Sequence, residues 1–306
     1  MTSCAGDVVD VGVVVVTHDS RDVVASLLAS LEAGMSGVES WAVAVVDSGS
    51  RDGTLEFVAD SAPSARRVDL GANLGYAAGV NAGIDALAPR SAAVVLNPDI
   101  VLRPGAVAGL LDALASPTVG VAVPRLVEVS GSLAWSLRRR PTLRRLAAEA
   151  ILGGDRAARL PGAWSHRILD PDAYRVPTRV DWASGAALAI DRACADAVGR
   201  WDESFFLYAE DIDYGLRVND AGFTVVLAPE VEVVHIGGEA RTSPELWAMV
   251  VVNRVRLFRK HRGRAAGALA WLVVAFGEAL RAGGRPASRA ALAALMARRW
   301  RPETVR

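Results

Sequence analysis

Cysteine and lysine are both scarce in this 306-residue sequence, which contains two cysteines and a single lysine, Lys260. Cys4 and Cys194 lie far apart in the chain and match no metal-ligand spacing. This argues against a disulfide framework or a zinc site and favours a reducing compartment. The first 12 residues contain acidic side chains and lack a basic segment before the apolar run. We therefore predict no secretory signal.

The usual glycine fingerprints of nucleotide-binding loops are also absent. The glycine-containing stretch at residues 71–79 has the spacing of neither a G-x-G-x-x-G loop nor a Walker A loop. This absence argues against an NAD-linked Rossmann enzyme and against a P-loop protein. Small residues at the start of a helix let a ligand approach closely, although close contact between helix and sheet is the simpler explanation.

Apolar runs of strand length alternate with helical patterns through the first half of the chain. Because each run reads as buried on both sides, the pattern predicts an α/β fold with a mostly parallel sheet flanked by helices. The predicted strands are residues 11–16, 42–46, 67–70, 93–96 and 119–123. The predicted helices are residues 23–31, 53–59, 76–87 and 105–115.

The second half of the chain is less regular. Residues 138–177 contain arginine clusters, prolines and a Gly-Gly pair, which predict a helix inside an irregular connection. Order returns as a strand over residues 180–190 and a strand pair over residues 223–236. After Pro244 the pattern is helical, with a break near Gly283, Gly284 and Pro286.

Polar residues follow several of the predicted strands: Thr17, Asp47 with Asp52, Asn97 with Asp99, and His235. The carboxyl ends of parallel strands meet at one edge of a sheet, which is where ligands of such sheets bind. A single aspartate in such a place is usually a turn or capping residue. Several together match what a nucleotide diphosphate and a divalent cation need.

A second acidic group, Glu210, Asp211 and Asp213, follows an aromatic stretch at residues 201–209. Glu210 and Asp213 are three residues apart and can share a helix face, whereas Asp211 points elsewhere. Partial burial would raise the pKa of a carboxylate and suit it to general-base chemistry. The alternative is a helix whose acidic first turn complements the helix dipole.

Taken together, these motifs resemble the GT-A glycosyltransferases of family 2, and most closely the bacterial rhamnosyltransferases of cell-wall and polysaccharide assembly. The resemblance spans about residues 11 to 262. It is carried by residues 13–20, 46–54, 71–83 with Asn73, Gly75 and Asn81, 96–99, 183–186, 201–217 and 229–235.

The resemblance implies a nucleotide-diphosphate sugar donor. Its base and ribose are expected at Thr17 and Asp47, with Asp52 nearby, and Asn73, Gly75 and Asn97 complete the expected donor site. Asn97-Pro98-Asp99 occupies the family's D-x-D position with asparagine as its first residue. Asp99 is therefore the expected carboxylate ligand of Mg²⁺ or Mn²⁺, and His235 the additional metal ligand. A histidine ligand favours Mn²⁺ slightly.

By the same resemblance, Asp211 is the expected catalytic base, which takes the proton of the acceptor hydroxyl during one inverting displacement. Glu210 and Asp213 are expected to orient Asp211, to hydrogen-bond the sugar or to position the acceptor. Trp182 and Trp201 are expected as apolar walls near donor or acceptor, and core packing is the alternative for both.

Net charge is zero overall, but residues 241–306 carry 14 basic residues against three acidic ones. Within this segment residues 265–277 are uncharged, too few to span a bilayer, and flanked by arginines. They fit an interfacial helix on a membrane, or a core or dimer helix. A membrane surface would suit a lipid-linked glycan acceptor. No nucleic-acid module is recognisable, so we predict no nucleic-acid partner.

We therefore expect a GT-A domain over residues 1–262, with a donor half at about 1–125 and an acceptor half at about 126–262, and a basic helical tail over 263–306. The protein is expected in the cytoplasm, at the inner face of the plasma membrane. dTDP-L-rhamnose is the favoured donor and UDP-galactofuranose the competitor. A nucleotidyltransferase and a non-catalytic sugar-nucleotide binding protein are the alternatives of other classes.

Overall fold

A computed structural model describes residues 9–237 and 243–297, so that Cys4 lies outside the described residues. Eleven strands are formed within these ranges: β1 (Val11–Thr17), β2 (Trp41–Asp47), β3 (Arg66–Asp69), β4 (Ala92–Leu96), β5 (Ile100–Leu102), β6 (Val119–Val127), β7 (Leu137–Arg138), β8 (Thr178–Val180), β9 (Trp182–Ala183), β10 (Ala187–Asp191) and β11 (Thr224–His235).

Ten α-helices alternate with and follow these strands in the described ranges: α1 (Arg21–Gly34), α2 (Thr54–Ser61), α3 (Tyr76–Leu87), α4 (Ala106–Ala113), α5 (Leu143–Leu152), α6 (Gly154–Ala158), α7 (Arg192–Val198), α8 (Glu210–Asp220), α9 (Pro244–Arg281) and α10 (Pro286–Met296). Short 3-10 turns occur at Asp172–Tyr174 and Glu203–Phe205.

The main sheet has the strand order β3-β2-β1-β4-β10-β6-β11-β5, with β8 also paired to β11. Strands β3, β2, β1 and β4 are parallel to one another. β1 and β4 are buried along their whole length because helices cover both faces, as the continuous apolar runs predict. The predicted α/β class with a mostly parallel, helix-flanked sheet is confirmed, and its second half is mixed.

The second half of the sheet corrects two predictions. The expected strand at 180–190 is divided into β8, β9 and β10, and β10 runs antiparallel between β4 and β6. The expected strand pair at 223–236 is the single strand β11, whose register shifts between Ala228 and Glu232. Pro229 lies in this irregular stretch, where its missing N–H leaves the ladder unpaired. The three-residue strand β5 was not predicted.

Each face of the sheet has its own core. One face packs against α1 and α4 through residues such as Leu27 and Leu110. The other packs against α3, α7 and α8 through Val80, Cys194 and Tyr214. Cys194 is a buried free thiol. Helix α8, which begins with the acidic group, is therefore held against the sheet by the second core.

The C-terminal helices form a separate apolar cluster. α9, α10 and α5 pack together around Val251, Val274 and Ala291. The backbone of α9 departs from helical geometry at Gly263, with φ 82° and ψ 178°. This kink lies at the predicted boundary between residues 262 and 263, although α9 continues on both sides. The N-terminal half of α9 packs against the Phe205 and Ala209 region, next to the start of α8.

Candidate active site

The ends of β1 and β2 bring Thr17 and Asp47 together. The two residues are register partners in the parallel ladder. The Thr17 hydroxyl donates to Asp47 Oδ1 at 2.8 Å, and the Ser50 amide donates to Asp47 Oδ2 at 2.7 Å. Both side chains are buried. These bonds fix the Asp47 carboxylate at the sheet edge, where a nucleotide base or ribose is expected.

Asp52 has a local role at the same edge. Its Oδ1 accepts from the Thr54 amide at 3.0 Å, and its Oδ2 accepts from the Arg21 amide at 3.0 Å. It therefore satisfies backbone donors at the starts of both α1 and α2, where helix N–H groups have no partner within the helix. The contacts fit the capping interpretation of this aspartate better than a donor-binding role.

Asn73 and Gly75 form the turn that leads into α3. Asn73 Oδ1 accepts from the Gly75 amide at 3.1 Å and from the Ser48 hydroxyl at 3.3 Å. Gly75 has φ 88°, and a Cβ at this position would lie 2.4 Å from the Phe206 carbonyl oxygen. The glycine is therefore required by the close approach of the segment before α8, rather than by a ligand.

β5 and β11 place Asp99 beside His235. Ile100 is the register partner of His235, and the Ile236 amide donates to the Asp99 carbonyl at 2.9 Å. The side chains meet with His235 Nε2 3.2 Å from Asp99 Oδ2. Asp99 is 8% exposed, and its Oδ1 has no hydrogen-bond partner in the described structure. An unpartnered buried carboxylate oxygen beside an imidazole nitrogen suits a divalent cation.

No third His, Cys, Asp or Glu side chain joins this pair, because the described residues contain no group of three or more such potential ligands. Asn97 lies half-buried at the same edge, where its backbone amide donates to the Ala186 carbonyl at 2.8 Å. A cation held by Asp99 and His235 would need its remaining ligands from substrate oxygens or water, as Mg²⁺ sites commonly do.

The segment before α8 is strained. Phe206, Tyr208 and Ala209 have φ values of 62°, 65° and 76°, which non-glycine residues rarely adopt. Asn253 of α9 holds this segment, because its Nδ2 donates to the carbonyls of Phe205, Leu207 and Tyr208 at 2.7, 2.9 and 2.9 Å. On the opposite side, the Tyr76 amide donates to the Phe206 carbonyl at 2.7 Å.

The strained segment leads directly into α8 and so determines the position of Asp211, the second residue of that helix. Asp211 Oδ2 accepts from the Gly185 amide at 3.2 Å, and Oδ1 accepts from the Ile212 amide at 2.8 Å. A Cβ at Gly185 would lie 3.1 Å from Asp211 Cβ, so the glycine allows the approach. Burial raises the pKa of Asp211, although these amide hydrogen bonds oppose it. A raised carboxylate pKa favours proton uptake from a hydroxyl.

Glu210 is more deeply buried than Asp211. Its Oε2 has no hydrogen-bond partner among the described residues. Burial, together with the nearby charge of Asp211, raises the pKa of Glu210 to about 8. A protonated Glu210 spares the site a second adjacent negative charge, which keeps Asp211 ionised more easily.

Asp213 faces away from the predicted acceptor site. Its Oδ1 lies 2.7 Å from Lys260 Nζ and 2.9 Å from His261 Nε2, and its Oδ2 lies 2.8 Å from Arg217 Nε. Burial alone would raise its pKa, but the hydrogen bonds from His261, Lys260 and Arg217 lower it to about 2. The predicted acceptor-positioning role does not fit these contacts, because Oδ1 joins α8 to α9 and Oδ2 pairs with Arg217 within α8.

The two predicted tryptophan walls are largely core residues. Trp201 is buried and stacks on Tyr214 with ring centroids 4.5 Å apart. Trp182 is buried too, and its Nε1 donates to the Arg139 carbonyl at 3.1 Å. The core-packing alternative therefore fits Trp201. Trp182 lies in β9, two residues before Ser184 and three before Gly185, and so borders the Asp211 region.

Tyr76 is a site residue that the sequence did not single out. Its hydroxyl donates to the Gly185 carbonyl at 3.1 Å. Burial and the charges of Glu210, Asp211 and Asp99 raise its pKa well above the usual value. The phenol therefore lies beside Gly185, whose amide holds Asp211. Its place as the first residue of α3, within the motif at residues 71–83, is the signal that could have identified it.

Comparison with known proteins places these features in context. The sequence model described as glycosyl transferase family 2 matches residues 12–168. N-acetylglucosaminyl-diphospho-decaprenol L-rhamnosyltransferase of Mycobacterium tuberculosis is 34% identical over 234 residues, which are 73% of this chain and 75% of that protein. The low-salt glycan biosynthesis hexosyltransferase Agl10 of Haloferax volcanii is 25% identical over 230 residues, which are 74% of this chain and 67% of that protein.

Solved structures show a similar fold at lower identity. The mannosyltransferase PcManGT from Pyrobaculum calidifontis, in complex with GDP-Man and Mn²⁺, matches with a TM-score of 0.56 and 19% identity over 93% of this chain and 79% of that one. S. aureus TarS 1-349 matches with a TM-score of 0.53 and 15% identity over 90% of this chain and 72% of that one.

Proposed function

Since this chain belongs to glycosyl transferase family 2, we propose that it transfers L-rhamnose from dTDP-L-rhamnose to a polyprenyl-diphosphate-linked sugar, with inversion at the anomeric carbon. The predicted family and GT-A fold class are confirmed, and the chain is a glycosyltransferase. The choice of sugar and acceptor is supported by the rhamnosyltransferase that is 34% identical over 73% of this chain.

One observation carries the proposed mechanism: Gly185 joins Tyr76 to Asp211, because its carbonyl accepts from the Tyr76 hydroxyl at 3.1 Å and its amide donates to Asp211 Oδ2 at 3.2 Å. The next carbonyl, that of Ala186, accepts from the backbone amide of Asn97 at 2.8 Å, which brings the Asn97-Pro98-Asp99 motif to the same place. Asp211 is held by the Gly185 and Ile212 amides, so that its carboxylate is preorganised beside the reaction centre. It accepts the proton of the acceptor hydroxyl as that oxygen attacks the anomeric carbon. One direct displacement needs no covalent intermediate on the enzyme.

The leaving nucleotide diphosphate is expected at the opposite side of the anomeric carbon, near Asp99 and His235. These residues would hold Mg²⁺ or Mn²⁺, because Asp99 Oδ1 is buried without a partner and His235 Nε2 is adjacent to Oδ2. A bound divalent cation would supply positive charge against the departing diphosphate. Thr17 and Asp47 would bind the nucleoside end of the donor.

The distal half of α9 supports a peripheral location on a membrane. Four large apolar side chains there are between 50% and 60% exposed: Leu269, Leu272, Phe276 and Leu280. They recur at helical spacing on one face, and no charged residue occurs between Ala265 and Gly277. By length and composition α9 could also cross a membrane. Because its other face packs against α5 and α10, an interfacial position fits the contacts better.

The proposed function is tested by transfer of radiolabelled rhamnose from dTDP-L-rhamnose to N-acetylglucosaminyl-diphospho-polyprenol, with and without Mn²⁺ or Mg²⁺. Thermal stabilisation by dTDP and UDP, measured in parallel, identifies the nucleotide because only the folded state binds it. Transfer that requires metal, together with stabilisation by dTDP, is the expected result. Stabilisation by UDP alone, with no rhamnosyl transfer, would redirect the assignment to a UDP-sugar such as UDP-galactofuranose.

A further inference from the structure

Arg138, at the end of β7, is a half-buried cation next to the active site. Its Nη1 donates to the carbonyls of Trp135 and Leu137, and its guanidinium carbon lies 5.7 Å from the centroid of the Trp182 ring. No ion pair joins Arg138 to a carboxylate within residues 9–237 and 243–297. A guanidinium in this position without a carboxylate partner is costly, because burial removes part of its hydration and no negative charge compensates for the loss.

The sheet places this cation close to Asp211. Arg138 is the register partner of Trp182, and the Ser184 amide donates to the Ser136 carbonyl at 3.2 Å. The next amide along, that of Gly185, donates to Asp211. The positive charge of Arg138 is near enough to lower the pKa of Asp211, against the larger effect of burial. Burial lowers the pKa of Arg138 to about 10, so it remains charged at neutral pH.

Glu149, an acidic side chain whose charge acts on Arg138, already has other partners. Glu149 of α5 is in contact with His166 Nδ1, and its Oε2 lies 3.4 Å from Arg254 Nη1. His166 stacks on Trp182, with ring centroids 6.3 Å apart. Glu149 therefore pairs with Arg254 and His166 and not with Arg138. The guanidinium of Arg138 can bind an anionic ligand instead. A charged guanidinium binds a phosphate group more strongly than it binds a neutral sugar.

We propose that Arg138 binds the diphosphate of the acceptor, while the acceptor sugar presents its hydroxyl to Asp211. This assignment rests on the proposed function, since it requires an acceptor sugar that is linked to a diphosphate. It makes Arg138 a specificity determinant: it separates lipid-linked diphosphate sugars from neutral glycosides. The ring of Trp182 orients the guanidinium from one face.

The test compares two acceptors in the full-length protein: N-acetylglucosaminyl-diphospho-lipid, and an alkyl N-acetylglucosaminide with the same lipid tail and no phosphate. Arg138→Gln is expected to lower kcat/KM for the diphosphate acceptor by ~10- to 100-fold. The value of kcat/KM for the neutral acceptor should fall much less, by the effect on the base alone, because the charge of Arg138 also lowers the pKa of Asp211. KM for the donor should change by less than ~2-fold. Arg138→Lys should recover part of the loss, because it keeps the charge without the fork geometry.

The matched control is Arg144→Gln, an exposed arginine of α5 that stacks on Trp164, which should leave both acceptors unaffected. Equal losses for both acceptors with Arg138→Gln would assign Arg138 a structural role and overturn the proposal. A raised KM for the donor instead would assign it to the donor diphosphate and also overturn it.

Direct binding of the diphosphate acceptor, measured by calorimetry without donor, separates this proposal from the proposed function. Binding by the wild-type protein that is weakened ~10-fold by Arg138→Gln supports the site even if dTDP-L-rhamnose proves to be the wrong donor. Absence of binding by the wild-type protein, or binding that Arg138→Gln leaves unchanged, would overturn the proposal whatever the donor is.

Discussion

The conformation of the segment before α8 depends on one buried side chain, that of Asn253. Removal of this side chain tests whether the segment positions Asp211. Asn253 is 0% exposed, and its Nδ2 donates to three carbonyls at 2.7–2.9 Å. Those carbonyls flank residues with positive φ, each of which stores about 1–3 kcal/mol of strain. Without these bonds, we expect the segment to relax and to displace Asp211 from the Gly185 amide.

The magnitude follows from the two hydrogens of the amide. Two net hydrogen bonds and the buried carbonyls left unsatisfied together cost about 2–4 kcal/mol in the free energy of unfolding on Asn253→Ala. A shift of the catalytic carboxylate by ~1 Å costs ~10²-fold in rate. We therefore expect kcat to fall at least ~10-fold, with KM for the donor unchanged because the Thr17–Asp47 edge is untouched. Asn253→Asp should be worse, since it places a carboxylate against carbonyl oxygens.

The assays are urea unfolding and steady-state rhamnosyl transfer well below the midpoint of thermal unfolding. Val251→Ala is the matched control, because Val251 is also fully buried on α9 and loses two methyl groups, at about 2 kcal/mol. This control should lower stability and leave kcat within ~2-fold of wild type. If Asn253→Ala lost stability to a similar degree yet kept normal kcat, the inferred dependence of Asp211 on the clamped segment would be wrong.

Three further changes probe the site. Asp211→Asn should lower kcat by ~10²–10⁴-fold while nucleotide binding by calorimetry is unchanged, and near-normal turnover would refute its assignment as the base. Glu210→Gln should flatten the pH dependence of stability: with a folded-state pKa of about 8, above the unfolded value, Glu210 makes the free energy of unfolding fall as pH rises from about 4.5 to 8. The free energy of unfolding is measured by urea at several pH values in that range. If it changes with pH equally in wild type and variant, the raised pKa of Glu210 is wrong. His235→Ala should weaken Mn²⁺ binding in the presence of nucleotide at least ~10-fold by titration, and unaltered binding would exclude it as a ligand.

Local patterns predicted the elements of the first half well. The bounds of α3 match those predicted. β1 and β4 are each one residue longer than predicted at one end, and β2 is one residue longer at each end. These elements are long, buried and periodic, so their sequence signal is strong. β5 was missed because a three-residue strand has no such signal. It exists through pairing with β11, more than 130 residues later in the chain.

Only part of the site could be predicted from the sequence, because some of its contacts also join distant segments of the chain. Strand-end positions indicated that Thr17, Asp47, Asp99 and His235 gather at one edge, because parallel strands share a carboxyl end, and the structure brings Thr17 to Asp47 and Asp99 to His235. The difference between Asp211 and Asp213 could not be read from the sequence. Both lie in the first turns of α8, and their roles depend on what faces each side of that helix.

The sequence by itself determined the alternation of strands and helices, the acidic groups that follow them and the family resemblance, since these depend on residues near one another in the chain. Tertiary structure alone decided that α9 neutralises Asp213, that Asn253 clamps the segment before α8, and that Arg138 lies beside Asp211 without a carboxylate partner among the described residues. The physical reason is that a charge or a strained backbone acquires its role from the groups packed against it, and here those groups come from distant segments.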